Sequence, residues 1–158
     1  MLYPLSYGGS RTARKAYMTV NDSVEGVGSV AADARGTRVL VVDDSAVIRD
    51  LISVNLSLEG FEVTTAADGQ AALDMVRDVA PAVITLDVVM PQLDGFDTLA
   101  ALRADPATAD IPVVMVTGRA SAADLERGAG LGVDAYLTKP FEPAELVTVV
   151  SQLAGARR

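Results

Sequence analysis

The chain has 158 residues, half of them apolar but only 4% aromatic, with a formal net charge of −8, no cysteine and no histidine. That length supports one ordinary domain with a core of Val, Leu, Ile and Ala. The charge argues against a sequence-independent nucleic-acid binder or an anionic membrane surface as partner, and the missing side chains exclude disulfides, thiolate nucleophiles and histidine bases or ligands.

Residues 1–36 mix Gly, Ser, Ala and scattered charges with neither a helical nor a strand period. They read as a disordered extension, either without a role or as a partner-binding arm, with Met18 as an alternative start. From Thr37 the pattern changes. Val39-Leu40-Val41-Val42 is a short β-branched run ended by Asp43-Asp44. Ser45 is a helix N-cap, and Val47, Leu51, Val54 and Leu58 recur at helical spacing until Gly60 closes the segment. Glu62 to Ala66 reads as a second strand, and Asp68-Gly69 turns into a helix carrying Ala72, Leu73 and Val76. Ala82 to Asp87 is a third strand. Phe96 to Ala104 is helical with Leu99 and Leu102 inward, and Pro112 to Thr117 is a fourth strand. Ser121 with Asp124 opens a helix that carries Leu125 and dissolves into the glycines 128, 130 and 132. Ala135 to Thr138 is a fifth strand. Pro143 takes a first helical position, with Leu146, Val149, Val150 and Leu153 at helical spacing after it. No apolar run approaches the roughly 20 residues of a membrane span, and no apolar stretch follows the early basic residues as in a secretory signal. A cytoplasmic protein is expected.

Five strand–helix units in strict alternation predict an α/β fold, a parallel sheet with helices on both faces. Strands buried on both faces read as continuous apolar runs, as VLVV, AVITL and VVMV do. In such sheets ligands sit at the carboxyl ends of the strands.

Polar residues stand at those ends. The first strand ends in Asp43 and Asp44, the third in Asp87, the fourth in Thr117 and the fifth in Lys139. Three clustered carboxylates with one ammonium repel one another unless a cation enters. Oxygen-only ligands favour Mg²⁺ or Mn²⁺. A carboxylate not fully used by the metal could attack an activated phosphoryl group, whose charge a metal, a Lys and a hydroxyl would share.

The segments LVVDDSAVIR, ITLDVVMPQLDGFD, VVMVTG and DAYLTKPF resemble the signature segments of the response-regulator receiver domain of two-component signalling, in order and spacing, over residues 37–154. The resemblance implies a flavodoxin-like, doubly wound (βα)5 three-layer sandwich with strand order 2-1-3-4-5. It implies Asp87 as phospho-acceptor, with Asp43, Asp44, Asp87 and the backbone carbonyl of Val89 holding Mg²⁺. Thr117 and Lys139 would bind phosphoryl oxygens, and Thr117 with Tyr136 would form the switch. Val89 and Arg119 match variable positions that tune hydrolysis of the acyl phosphate. Lys139-Pro140 resembles the family's cis peptide. Asp94-Gly95 resembles its loop acid and turn glycine, with helix capping as the role expected of Asp94.

The resulting expectation is a stand-alone receiver with residues 155–158 as a tail. A histidine kinase or phosphotransfer protein would phosphorylate Asp87, altering a surface of the fourth helix, fifth strand and fifth helix that a downstream protein reads. No direct nucleic-acid contact is expected. The chain would be a monomer, or a phosphorylation-dependent dimer. It would not be a conventional enzyme, beyond its own autophosphorylation and autodephosphorylation. Two other readings are a phosphorylation-independent scaffold and an Asp-nucleophile phosphatase. The second would want a D-x-D pattern after the first strand, where this chain has adjacent acids. The glycine-dense Gly128–Gly132 stretch reads either as a mobile segment beside Tyr136 or as a loosely ended helix.

Overall fold

The structure, a computed structural model, describes residues 36–118 and 121–156. Residues 1–35, with the expected extension and Met18, therefore lie outside the described residues, as do Arg119, Ala120 and the last two residues. Strands and helices alternate: β1 (Arg38–Val42), α1 (Ala46–Leu58), β2 (Glu62–Ala66), α2 (Gly69–Val79), β3 (Val83–Asp87), α3 (Gly95–Ala104), β4 (Val113–Thr117), α4 (Ala122–Gly130), β5 (Ala135–Thr138) and α5 (Pro143–Ala156). The strands form one sheet in the order β2-β1-β3-β4-β5, and every pair is parallel. The α/β class and the strand order are both as expected. The last helix runs through Gly155 and Ala156, into the segment expected as a tail.

Four of the five helices start where the sequence supplies an oxygen for their first free N–H groups. Ser45, Asp68, Asp94 and Ser121 each accept from the backbone N–H three residues on, at 3.3, 2.7, 2.8 and 3.1 Å. The three central strands are buried on both faces, so alternation along each feeds two separate cores. Leu40, Val42, Ile84, Leu86, Val113 and Met115 pack under α2, α3 and α4. Val39, Val41, Val83, Val114, Val116, Ala135 and Leu137 pack under α1 and α5. At the amino end of the sheet, Arg103 of α3 donates to the carbonyl of Gly132 and to Asp134, whose carboxylate also accepts from Val113 N–H at 2.9 Å. This ties α3, β4 and the α4–β5 turn together.

Two helices add to or depart from the reading of the sequence. In α1 the residues that recur at helical spacing are exposed: Val47 by 76%, Leu51 by 41%, Val54 by 57% and Leu58 by 77%. Ile52 and Leu56 are buried instead, with Ile48 packed beside them. The helix has two apolar stripes about one residue apart, and spacing cannot say which one meets the sheet. In α4 the helix does not dissolve at Gly128. It continues to Gly130, and Gly128 is a buried helical residue.

Among the described residues no helix is long and apolar enough to cross a membrane.

Candidate functional site

The parallel register brings the strand ends to one level. Val42 of β1 pairs with Leu86 of β3, so Asp43 and Asp87 are the next residues on adjacent strands. Asp87 pairs with Val116, which puts Thr117 one step of ~3.3 Å beyond it, and Thr117 pairs with Thr138, the residue before Lys139. Alternation then sorts the side chains. Asp43, Asp87 and Lys139 continue the rows that face α1 and α5. Thr117 continues the row of Val113 and Met115, on the face covered by α2, α3 and α4.

Lys139 Nζ lies 2.9 Å from Asp43 Oδ2 and 3.3 Å from Asp87 Oδ1, one ammonium shared between two buried carboxylates. Asp44 is exposed at the rim, and carboxylate oxygens of Asp43, Asp44 and Asp87 all fall within 4.8 Å of one another. Asp43 is 1% exposed and held from both sides. Its Oδ1 accepts from Ser45 N–H at 2.9 Å, and Arg49 donates to its backbone carbonyl at 2.8 Å. Burial, then the charge of Asp43, pushes the Asp87 carboxyl up to about 6, against the pull of Lys139. For Lys139 burial acts downward, but its bond to Asp43 and the charges of Asp43 and Asp87 outweigh it and hold the ammonium above its ordinary value. The site is thus an acid pair short of positive charge, with a third acid at the rim. Hard oxygen donors at this spacing suit a small divalent cation such as Mg²⁺ or Mn²⁺.

The loop after β3 leads the chain away from Asp87, whose side chain stays buried. Val88 and Met90 turn into the core while Val89 between them is 63% exposed. Gly95, at the start of α3, donates to the Val88 carbonyl at 2.8 Å, and a β carbon there would meet the Asp87 carbonyl oxygen and come within 2.8 Å of Val88 Cα. Only glycine lets α3 begin this close behind the acid. Asp94 caps α3, as expected. A cleft of about 310 Å³ opens between this loop and α4, with Met90, Phe96, Thr117, Asp124 and Arg127 among its lining. Lys139 donates its backbone N–H to the Thr117 carbonyl at 2.8 Å, and Lys139-Pro140 is cis. Tyr136 is registered with Met115, two residues before Thr117 on the same face, and is half-buried.

The structure therefore brings together Asp43, Asp44, Asp87, Thr117 and Lys139, with Val89 and Tyr136 adjacent; Arg119 lies outside the described residues. Sequence reading missed the supports. Arg49 stands six residues after Asp43, where one turn and a half of helix returns it to the strand end, but nothing in its spacing distinguishes it from a solvated arginine. The close fit of Gly95 behind Asp87 was likewise hidden by its second job as a turn glycine.

Known proteins share this fold. The family described as the response regulator receiver domain matches residues 39–151. The chain is 40% identical over 116 residues to the DNA-binding dual master transcriptional regulator RpaA of a Synechocystis species, covering 73% of this chain and 48% of that protein. It is 38% identical over 118 residues to the DNA-binding response regulator MtrA of Mycobacterium tuberculosis, covering 75% and 50% respectively. The chain thus spans about half the length of these relatives. Among solved structures, the chemotaxis protein CheY4 of Vibrio cholerae superposes with a TM-score of 0.72 at 36% identity, covering 75% of this chain and 98% of that one. The receiver domain of the Francisella response regulator 1452 gives 0.70 at 34% identity, covering 76% and 98%.

Proposed function

This chain belongs to the response regulator receiver domain family, and from that premise we propose that it is a phospho-accepting switch with Asp87 as acceptor. The carrying observation is the shared ammonium: Lys139 spans Asp43 and Asp87 at the carboxyl ends of the strands, in a cluster of three acids that wants a divalent cation. Asp43, Asp44, Asp87 and the Val89 carbonyl would hold Mg²⁺ or Mn²⁺, which supplies charge neutralisation at the transferring phosphoryl group.

In the proposed reaction an Asp87 carboxylate oxygen attacks the phosphorus of a phosphohistidine on a kinase or phosphotransfer protein. The P–N bond breaks as the P–O bond forms, and the imidazole leaves with the electron pair. Lys139 keeps a hydrogen bond to the acceptor side and pairs with a phosphoryl oxygen, while the Thr117 hydroxyl donates to another. Hydrolysis reverses the modification when water attacks the phosphorus, and Val89 and Arg119, each two positions after a site residue in the sequence (Asp87 and Thr117), tune its rate. The consequence is a protein contact: Thr117 and Tyr136 lie on the α4 side of the sheet, so a change at Asp87 reaches the α4–β5–α5 surface. Receiver domains are signalling switches rather than classical enzymes, and a cytoplasmic location and a monomeric resting state belong to the same reading. Two relatives are named as DNA-binding, against the expectation of no nucleic-acid contact. Those proteins are about twice the matched length, and for the matched residues we propose a protein target.

Incubation with a small-molecule phosphodonor and Mg²⁺ should add one hydroxylamine-labile phosphoryl group, detected by intact mass. Asp87→Asn and a chelator should each abolish it. Uptake by Asp87→Asn equal to wild type, or none by wild type, would sink the phospho-switch and leave the scaffold reading. Turnover of a generic phosphomonoester would instead point to a phosphatase.

A further inference from the structure

Glycine weakens a helix interior relative to alanine, so a buried helical glycine asks for a packing reason. Gly128 in α4 has one. A β carbon on it would lie 3.0 Å from Tyr136 Cζ and 3.1 Å from Cε2, and closer still to Oη. The atoms in the way belong to a ring that cannot fold aside, because Tyr136 Oη donates to the Asp124 backbone carbonyl at 2.7 Å. Asp124 and Gly128 are four residues apart, one above the other on the same helix face. The ring fits between them, one carbonyl at its tip and one missing side chain at its edge. Gly130, two residues on in the same helix, shows the contrast: a β carbon there would meet nothing within 4 Å.

We infer that Gly128 is a positioning residue, the slot in α4 that admits the Tyr136 ring, with the Asp124 carbonyl as its latch. Residue 128 thereby sets whether α4 and β5 close with the tyrosine seated between them. Thr117 is the diagonal neighbour of Tyr136 on that face, since Tyr136 pairs with Met115. The consequence for signalling rests on the phospho-switch reading; the slot itself does not. Any side chain at 128 turns the ring out and changes the surface offered to a partner. By linkage it also changes the ease of phosphorylation.

The test uses the full chain with ring-¹³C tyrosine, and Tyr136→Phe to assign the resonance. In wild type, burial and then the charge of Asp124, opposed by Arg127, push the Tyr136 phenol above its ordinary range. Its Cζ signal should therefore stay put through pH 10, where a free phenol titrates. Gly128→Ala should bring that titration down to the ordinary range, and Gly130→Ala should leave it unmoved. In urea, Gly128→Ala should lower the unfolding midpoint although alanine is the better helix former, and the loss should vanish in a Tyr136→Leu background. Gly130→Ala should hold or raise the midpoint. If Gly128→Ala raises the midpoint as Gly130→Ala does, with Tyr136 still shielded, the slot is refuted. Absence of phosphoryl uptake by wild type would sink the receiver reading alone, because the titration and the mutant cycle decide the slot without it.

Discussion

Asp87 is kept at a cost to the fold. Its carboxyl ionises near 3.8 when unperturbed and near 6 in the folded chain, because it is buried and faces Asp43, and Lys139 offsets only part of this. Between those values the folded chain holds a proton that the unfolded chain has released. Stability therefore falls as pH rises through the window, and the full penalty stands above about pH 6. A separation of this size corresponds to about 2–3 kcal/mol. In metal-free buffer Asp87→Asn should be more stable than wild type at pH 7.5, by ~1–3 kcal/mol in urea, and the advantage should shrink towards pH 4. An equal difference at both pH values would show that repulsion at this position is absent. That a lone acid at the end of an apolar strand belongs to a site was legible, because an unpaired buried charge is too costly to leave unexplained. The backbone hold of Arg49 on Asp43 was not, since a single arginine on a half-exposed helix carries no such cost.

At the level of elements, periodicity placed all five strands and helices to within a residue or two, apart from the continuation of α4 through Gly130 and the run of α5 to Ala156. It left the orientation of α1 open. Val47, Leu51, Val54 and Leu58 keep helical spacing as well as Ile48, Ile52 and Leu56 do. The choice between the stripes is made by the sheet, where Val39, Val41 and Val83 receive Ile52 and Leu56 together with the inner face of α5. The two stripes should therefore answer mutation differently. Leu56→Ala removes a fully buried side chain and should cost ~2–5 kcal/mol. Val54→Lys, at a position 57% exposed, should stay within about 0.5 kcal/mol of wild type. Chemical denaturation of the two variants checks this directly. A loss of several kcal/mol from Val54→Lys would mean that the outer stripe is the packed one.

For the whole molecule, strand alternation foretold a parallel sheet, but the order β2-β1-β3-β4-β5 could come only from resemblance, because period says nothing about which strand lies beside which. That order makes the acid cluster a property of the folded state. Asp43 and Asp44 follow β1, Asp87 ends β3, and only the β1–β3 pairing brings their oxygens within 4.8 Å. A divalent cation bound there binds the folded chain in preference to the unfolded one. It should raise stability by RT ln(1 + [M]/Kd), about 2.7 kcal/mol at a hundredfold excess over Kd. The ion relieves the same repulsion that raises the Asp87 carboxyl, so its effect must depend on pH. Above about pH 6 the ion meets an ionised Asp87 and the gain should be full, and below that value it competes with a proton and the gain should fade. Asp87→Asn should invert the comparison, starting from a higher midpoint without metal and gaining less from it. Thermal unfolding in MgCl₂ against NaCl of matched ionic strength separates site binding from general screening of a chain with net charge −8. Equal shifts in the two salts, or an undiminished Mg²⁺ shift in Asp87→Asn, would mean that the three acids do not act together as a metal site.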